Sequence, residues 1–216
     1  MRIAPQFHLL HGFLAASIVG WLFGVPTLPA QNPADLPAQV GPTKSAPPFS
    51  ISKKFDYRVV QTFGLRGFVG SAFGSAIGQA RDVPYEWGEG VGGYATRYAA
   101  SFGTNLSHQT MEFTLESVLH EDPRYFPSKE KGFKARMKNV LLQTLVARKD
   151  SGGNQFAYAR IASAFGTGQL VNVWQPNSTG SVGGGIERGF IILGADTFYN
   201  FLQEFFPFVR PRALRK

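Results

Sequence analysis

The chain reads as all-α: about five helices closely packed through glycine- and alanine-rich faces, behind a signal peptide and a proline-rich tether. Three observations lead there. Small residues recur every four positions, at Gly70, Gly74 and Gly78 and again at Gly88 and Gly92, a spacing that lines them along one helix face. His108, Glu112, Glu116 and His120 keep the same beat, which gives a polar ribbon drifting only about 40° per step. The strict alternation of an outer-membrane β-barrel is missing, and the chain ends in Arg215-Lys216 instead of an aromatic strand.

Composition narrows the class further. With 44% apolar and 17% charged residues, the 216-residue chain has material for a sizeable core and is a poor candidate for global disorder. The absence of cysteine excludes disulfides, thiolate catalysis and cysteine-ligated metal centres. The net charge of +8 gathers at Lys129 to Lys138, at Arg148-Lys149 and at Arg210 to Lys216. No zinc-finger spacing or RNA-binding strand accompanies these residues, so an anionic lipid surface, or another envelope component, is the expected partner and nucleic acid is not.

Taken in order, residues 1–30 read as a secretory signal: Arg2 as a sparse basic start, an apolar run to Val25, and small residues ending at Ala30. A retained N-terminal anchor is the alternative. Residues 31–54 hold five prolines and few large apolar side chains, which suits an extended tether. The helical domain is placed at 55–208 and a basic tail at 209–216. Its first helix runs from Asp56 to Ala80 and carries the Gly70/Gly74/Gly78 track. Glycine weakens a helix by roughly 1 kcal/mol per site, so its repetition points to a neighbouring backbone in close approach, whether within the chain, in a membrane or in a homo-oligomer.

A turn around Pro84 leads to a second helix from near Gly88 to Glu121, stopped by Asp122-Pro123. Along it, Leu106, Met111, Leu115, Val118 and Leu119 form the apolar face opposite the His/Glu ribbon. A basic helix follows from Gly132 to Lys149, ended by Gly152-Gly153. A fourth helix is read from Asn154 to Trp174 on its alanines, and a last from Gly184 to Phe206 before Pro207.

Candidate chemistry is sparse. Neighbours four apart on a helix lie about 5–6 Å apart at Cβ, so two of His108, Glu112, Glu116 and His120 can share an ion. A metal there needs further ligands from the last helix, where Asp196 and Glu204 are the acids in reach. Neither HExxH nor the Glu-x-x-His of di-iron bundles is present. A solvated or ion-paired ribbon is therefore expected, with no metal or cofactor assigned. Arg97 stands among small and aromatic residues and needs an ion-pair partner such as Asp196 or Glu187. Asp122, Arg124 and Tyr125 form a corner that either pairs locally, Asp122 with Arg124, or clamps an anion. The glycine runs at 152–153 and 183–185 lack the rest of a phosphate loop, and no serine sits in a nucleophile elbow.

The segments His120-Glu121-Asp122-Pro123-Arg124-Tyr125-Phe126 and Arg148-Lys149-Asp150-Ser151-Gly152 resemble those of a group of uncharacterised exported bacterial proteins, over roughly Phe63 to Pro207. The resemblance implies a shared helical fold and carries no known activity or site residue. The sequence thus leads to an exported envelope protein, structural or membrane-associated and non-enzymatic. The alternatives are a secreted metal-dependent hydrolase built on the His/Glu ribbon and a bundle binding a small apolar ligand in a Phe-lined cavity.

Overall fold

The first helix of the computed structural model, which describes residues 48–210, is set by a serine. The Ser50 side chain accepts from the Lys53 amide and starts α1, Ile51–Phe63. It begins inside the segment assigned to the tether; residues 1–47 and the tail from 211, with the signal-peptide reading, lie outside the described residues. The expected single helix from Asp56 to Ala80 is broken at Gly64, whose extended backbone separates α1 from α2, Leu65–Ala80. A turn with a short 3-10 segment at Tyr85–Trp87 leads into α3, Gly90–Val118, which is continuous past Gly103. At 29 residues, it is about 43 Å long.

Helix α3 ends before Pro123 is reached. His120 adopts a left-handed φ of 55° and turns the chain into a two-residue strand, β1, Glu121–Asp122. The basic helix α4, Phe133–Leu145, stops short of the expected Lys149, because Val146–Lys149 form strand β2 and pair on both sides. One edge takes β1 with Asp122 opposite Arg148, and the other takes β3, Asn154–Phe156, with Arg148 opposite Asn154. Positive φ at Gly152 and Gly153 makes the tight return between β2 and β3. Helix α5, Tyr158–Leu170, and a 3-10 turn at Val171–Val173 replace the longer fourth helix. The last helix, α6, Val182–Phe205, starts on a Ser181 cap that accepts from the Gly184 amide.

The molecule is mainly α-helical, with six helices and a minor sheet among the described residues. The broken α1–α2 rod lies along α3; α3 packs on α5, α5 on α6, and α6 on α4. Its interior is unusual. Among the described residues, 22 buried positions are polar or charged and nine are apolar. Lys54, Glu112, Glu116 and Glu204 are almost completely enclosed, whereas Leu65, Phe73, Val91 and Phe190 are each more than 60% exposed. Helix α3 shows the same inversion: Leu106, Val118 and, just past its end, Leu119 are exposed, and the polar ribbon faces in.

Candidate functional site

The ribbon becomes a site because four helices meet on it. His108, Glu112 and Glu116 are buried on successive turns of α3, while His120, beyond the helix end, is exposed. From α1, Arg58 reaches across and divides its guanidinium between the two glutamates. Nη1 donates to Glu112 Oε2 at 2.5 Å, Nε to Glu116 Oε2 at 3.0 Å, and Nη2 to Glu116 Oε1. Gln109 accepts from Nη1 at 2.9 Å. One turn earlier on α1, Lys54 donates to the Glu116 carbonyl at 3.0 Å and to Asp150 Oδ2 at 2.6 Å. Of the two forms expected for the ribbon, solvated or ion-paired, the buried residues take the ion-paired one, each charge being met by an opposite one.

The far end is closed by α6. His108 Nε2 lies 3.2 Å from Asp196 Oδ2 and 3.5 Å from Glu112 Oε2, and Arg66 of α2 donates to Asp196 Oδ1 at 3.1 Å. Arg66 also stacks over Tyr199, 3.7 Å from the ring centre. Arg58, Arg66 and His108 face Glu112, Glu116 and Asp196, three basic groups against three acidic ones. Burial would lower the pKa of His108, but Glu112 and Asp196 outweigh it and raise it above the ordinary 6.5. Burial would raise Asp196, yet His108 and Arg66 hold it below the usual carboxylate range. For Glu116, burial wins over Arg58 and, helped by Glu112, pushes the carboxyl up to about 7.

Donor atoms of His108, Glu112 and Asp196 lie within 4.8 Å of one another, so these three residues could hold a metal ion. Of the two acids that the sequence offered on the last helix, Asp196 is placed here, whereas Glu204 is held by Tyr125 and Arg136. Against it, two of the three ligands already accept from guanidinium groups, and a metal would have to compete with fixed cations that carry no proton to lose.

The remaining candidates are held elsewhere. Arg97 pairs with neither Asp196 nor Glu187. It donates to Asp82 at 3.1 Å, to Gln79 at 2.8 Å and to the carbonyls of Val83, Pro84 and Gly88 at 2.6–3.0 Å, which staples the turn before α3. Arg124 binds Asp122 with Nε at 2.9 Å and Nη2 at 2.6 Å. Tyr125 is buried and donates to Glu204 Oε2 at 2.7 Å, where Arg136 Nε also arrives at 2.9 Å. Burial and the Glu204 carboxylate together drive the Tyr125 hydroxyl far above its usual range.

No family model matches the chain, and no curated protein or solved structure matches it.

Of the glycines assigned to helix packing, Gly74 faces Ser101 and Gly78 faces Val83 and Arg97, but a Cβ on Gly70, Gly88 or Gly92 would meet nothing within 4 Å. The buried track on α2 is Gly67, Ser71 and Ser75. The closest helix approach is one the sequence reading passed over: Gly168 of α5, where an added Cβ would meet the Gly185 carbonyl and, at 2.9 Å, the Gly189 nitrogen of α6. Nor do the phenylalanines of the described residues gather around an apolar cavity; Phe126 alone among them borders one of the two clefts. Phe63, Phe73, Phe190 and Phe198 sit on the outer surface, and the two clefts among the described residues are bordered mainly by polar side chains.

Proposed function

We propose that this is an exported cell-envelope protein acting as a membrane-associated structural element, with its apolar outer face seated in lipid and its basic segments against anionic headgroups. The observation that supports it is the inversion of the helices, polar within and apolar without. An exposed apolar surface of this extent marks a contact with something apolar, and small side chains such as Gly168 suit helices packed without a hydrophobic core between them. No described helix is long and apolar enough to cross a membrane. For the described residues the association proposed is therefore immersion of helix faces. Export through residues 1–30, the tether, and kinship with the exported bacterial group on His120 to Phe126 belong to the same proposal.

Flotation tests it. The full chain is expected to rise with vesicles of phosphatidylcholine and phosphatidylglycerol and to stay with them in 0.5 M salt, because apolar contact is not screened. A protein that stays at the bottom of the gradient, dispersed as monomers without detergent, would sink the proposal. Stable self-association without vesicle binding would instead assign the outer face to a second copy. A metal-dependent hydrolase is the second reading, favoured only by the His108/Glu112/Asp196 geometry. It requires stoichiometric metal in protein purified without chelator.

A further inference from the structure

Two clefts flank Arg160 and Asn200, and the one nearer the sheet is built from the two distinctive segments of the sequence. Asp122, Arg124 and Phe126 supply one wall, and Arg148 of β2 supplies another beside Asn154 of β3. Arg124 is committed to Asp122. Arg148 is not: it is half-buried, its guanidinium carbon sits 5.2 Å from the centre of the Phe126 ring, and its side chain makes no hydrogen bond or ion pair among the described residues. Asn200 borders both clefts, is only 7% exposed, and its amide has no hydrogen-bond partner among the described residues either. Arg160 spends Nη1 on the carbonyls of Gln143 and Thr144, which leaves Nε and Nη2 without a bond.

We propose that Arg148, Arg160 and Asn200 bind a phosphate-type oxyanion. Guanidinium groups only donate, and their planar forks match tetrahedral oxyanions. The Asn200 amide, which borders the same cleft, is a further donor source. The acids nearby offset Arg160 in part and make no ion pair with Arg148. Asp122 is neutralised by Arg124, and Glu116, Glu121 and Asp196 act on Arg160 through space without bonding to it. The free volume is about 10 Å³, room for one water-sized group. One anionic oxygen therefore enters, and the rest of the ligand stays at the edge formed by Arg148 and Asn154. A free phosphate and a phospholipid headgroup present the same oxygens, so the site does not depend on the membrane reading.

Titration calorimetry on the full chain in phosphate-free buffer separates the sources, with inorganic phosphate in one arm and monomeric dihexanoyl phosphatidylglycerol in the other. The expected result is saturable binding, one per chain, of at least one of the two, weakened tenfold or more in Arg148→Gln and in Asn200→Asp while the melting midpoint stays put. Binding in the phosphate arm assigns a free anion, and binding in the lipid arm alone assigns a headgroup. Saturation in neither arm, or wild-type affinity in Arg148→Gln, overturns the proposal. Should Asn200→Asp fail to fold, Arg148→Gln decides, since Arg148 holds no bond whose loss would unfold the chain.

Discussion

Arg58 is the residue on which the interior turns, because one guanidinium serves two enclosed carboxylates. Arg58→Met removes that cation and leaves Glu112 and Glu116 facing each other. The expected loss is about 3–5 kcal/mol in urea unfolding, with part of it recovered in the double variant Arg58→Met/Glu116→Gln. The pH dependence follows from the three shifted groups. His108 is raised, so its contribution is complete below about pH 6.5 and is lost as pH climbs through its folded value. Glu116 is raised from 4.5 to about 7, so its ionisation costs stability over that interval. Asp196 is lowered, so its contribution is present above about pH 3.8 and is lost as pH falls through its folded value. Stability is expected to peak near pH 4–5 and to decline toward pH 8. His108→Gln should flatten the decline above pH 6.5 in a series of thermal melts; an unchanged profile would place the proton elsewhere.

At the scale of elements, two glycines separate tight packing from open helix surface. Gly168→Ala would push a methyl into the α6 backbone and is expected to destabilise by about 1–3 kcal/mol. Gly70→Ala meets only open space and is expected to stabilise α2 by about 0.5–1 kcal/mol. Chemical denaturation of the two variants beside the parent reads both signs. The comparison also shows what was legible from the sequence. The four-residue beat at Gly70, Gly74 and Gly78 identified a helix correctly, but the beat alone does not say which of two parallel small-residue tracks meets the neighbour; Gly67, Ser71 and Ser75 do. Helix existence and the last helix were readable. The break at Gly64 and the strand at Val146–Lys149 were not, since the first depends on the course of the broken rod along α3 and the second on pairing with β1 and β3, distant in sequence. The pairing of Asp122 with Arg124 was readable because it is local. The partners of Arg97 were missed because most are backbone carbonyls, which carry no sequence signal.

For the whole molecule, the polar ribbon and its apolar counterface were both visible on α3, and the sequence left open which of the two faces inward. Amphipathicity fixes that a helix has two sides; which side is inside depends on what surrounds the bundle. In water, the ordinary choice buries Leu106, Val118 and Leu119. Here they are exposed while His108, Glu112 and Glu116 are enclosed, which is the arrangement that the proposed lipid contact calls for. The flotation outcome belongs at this scale. Phe73→Lys and Ile191→Lys together, on α2 and α6, are expected to lower the floated fraction without shifting the melting midpoint, since both side chains are largely exposed.

The enclosed three-against-three arrangement also shapes how this sequence can drift. A single change at Arg58, Arg66, Glu112, Glu116 or Asp196 leaves an odd charge sealed inside, so such steps would be purged before a second could repair them. Tolerated variants at these positions would arise as matched exchanges, and a folding-selected library would return them in couples while leaving the outward phenylalanines free to trade among themselves.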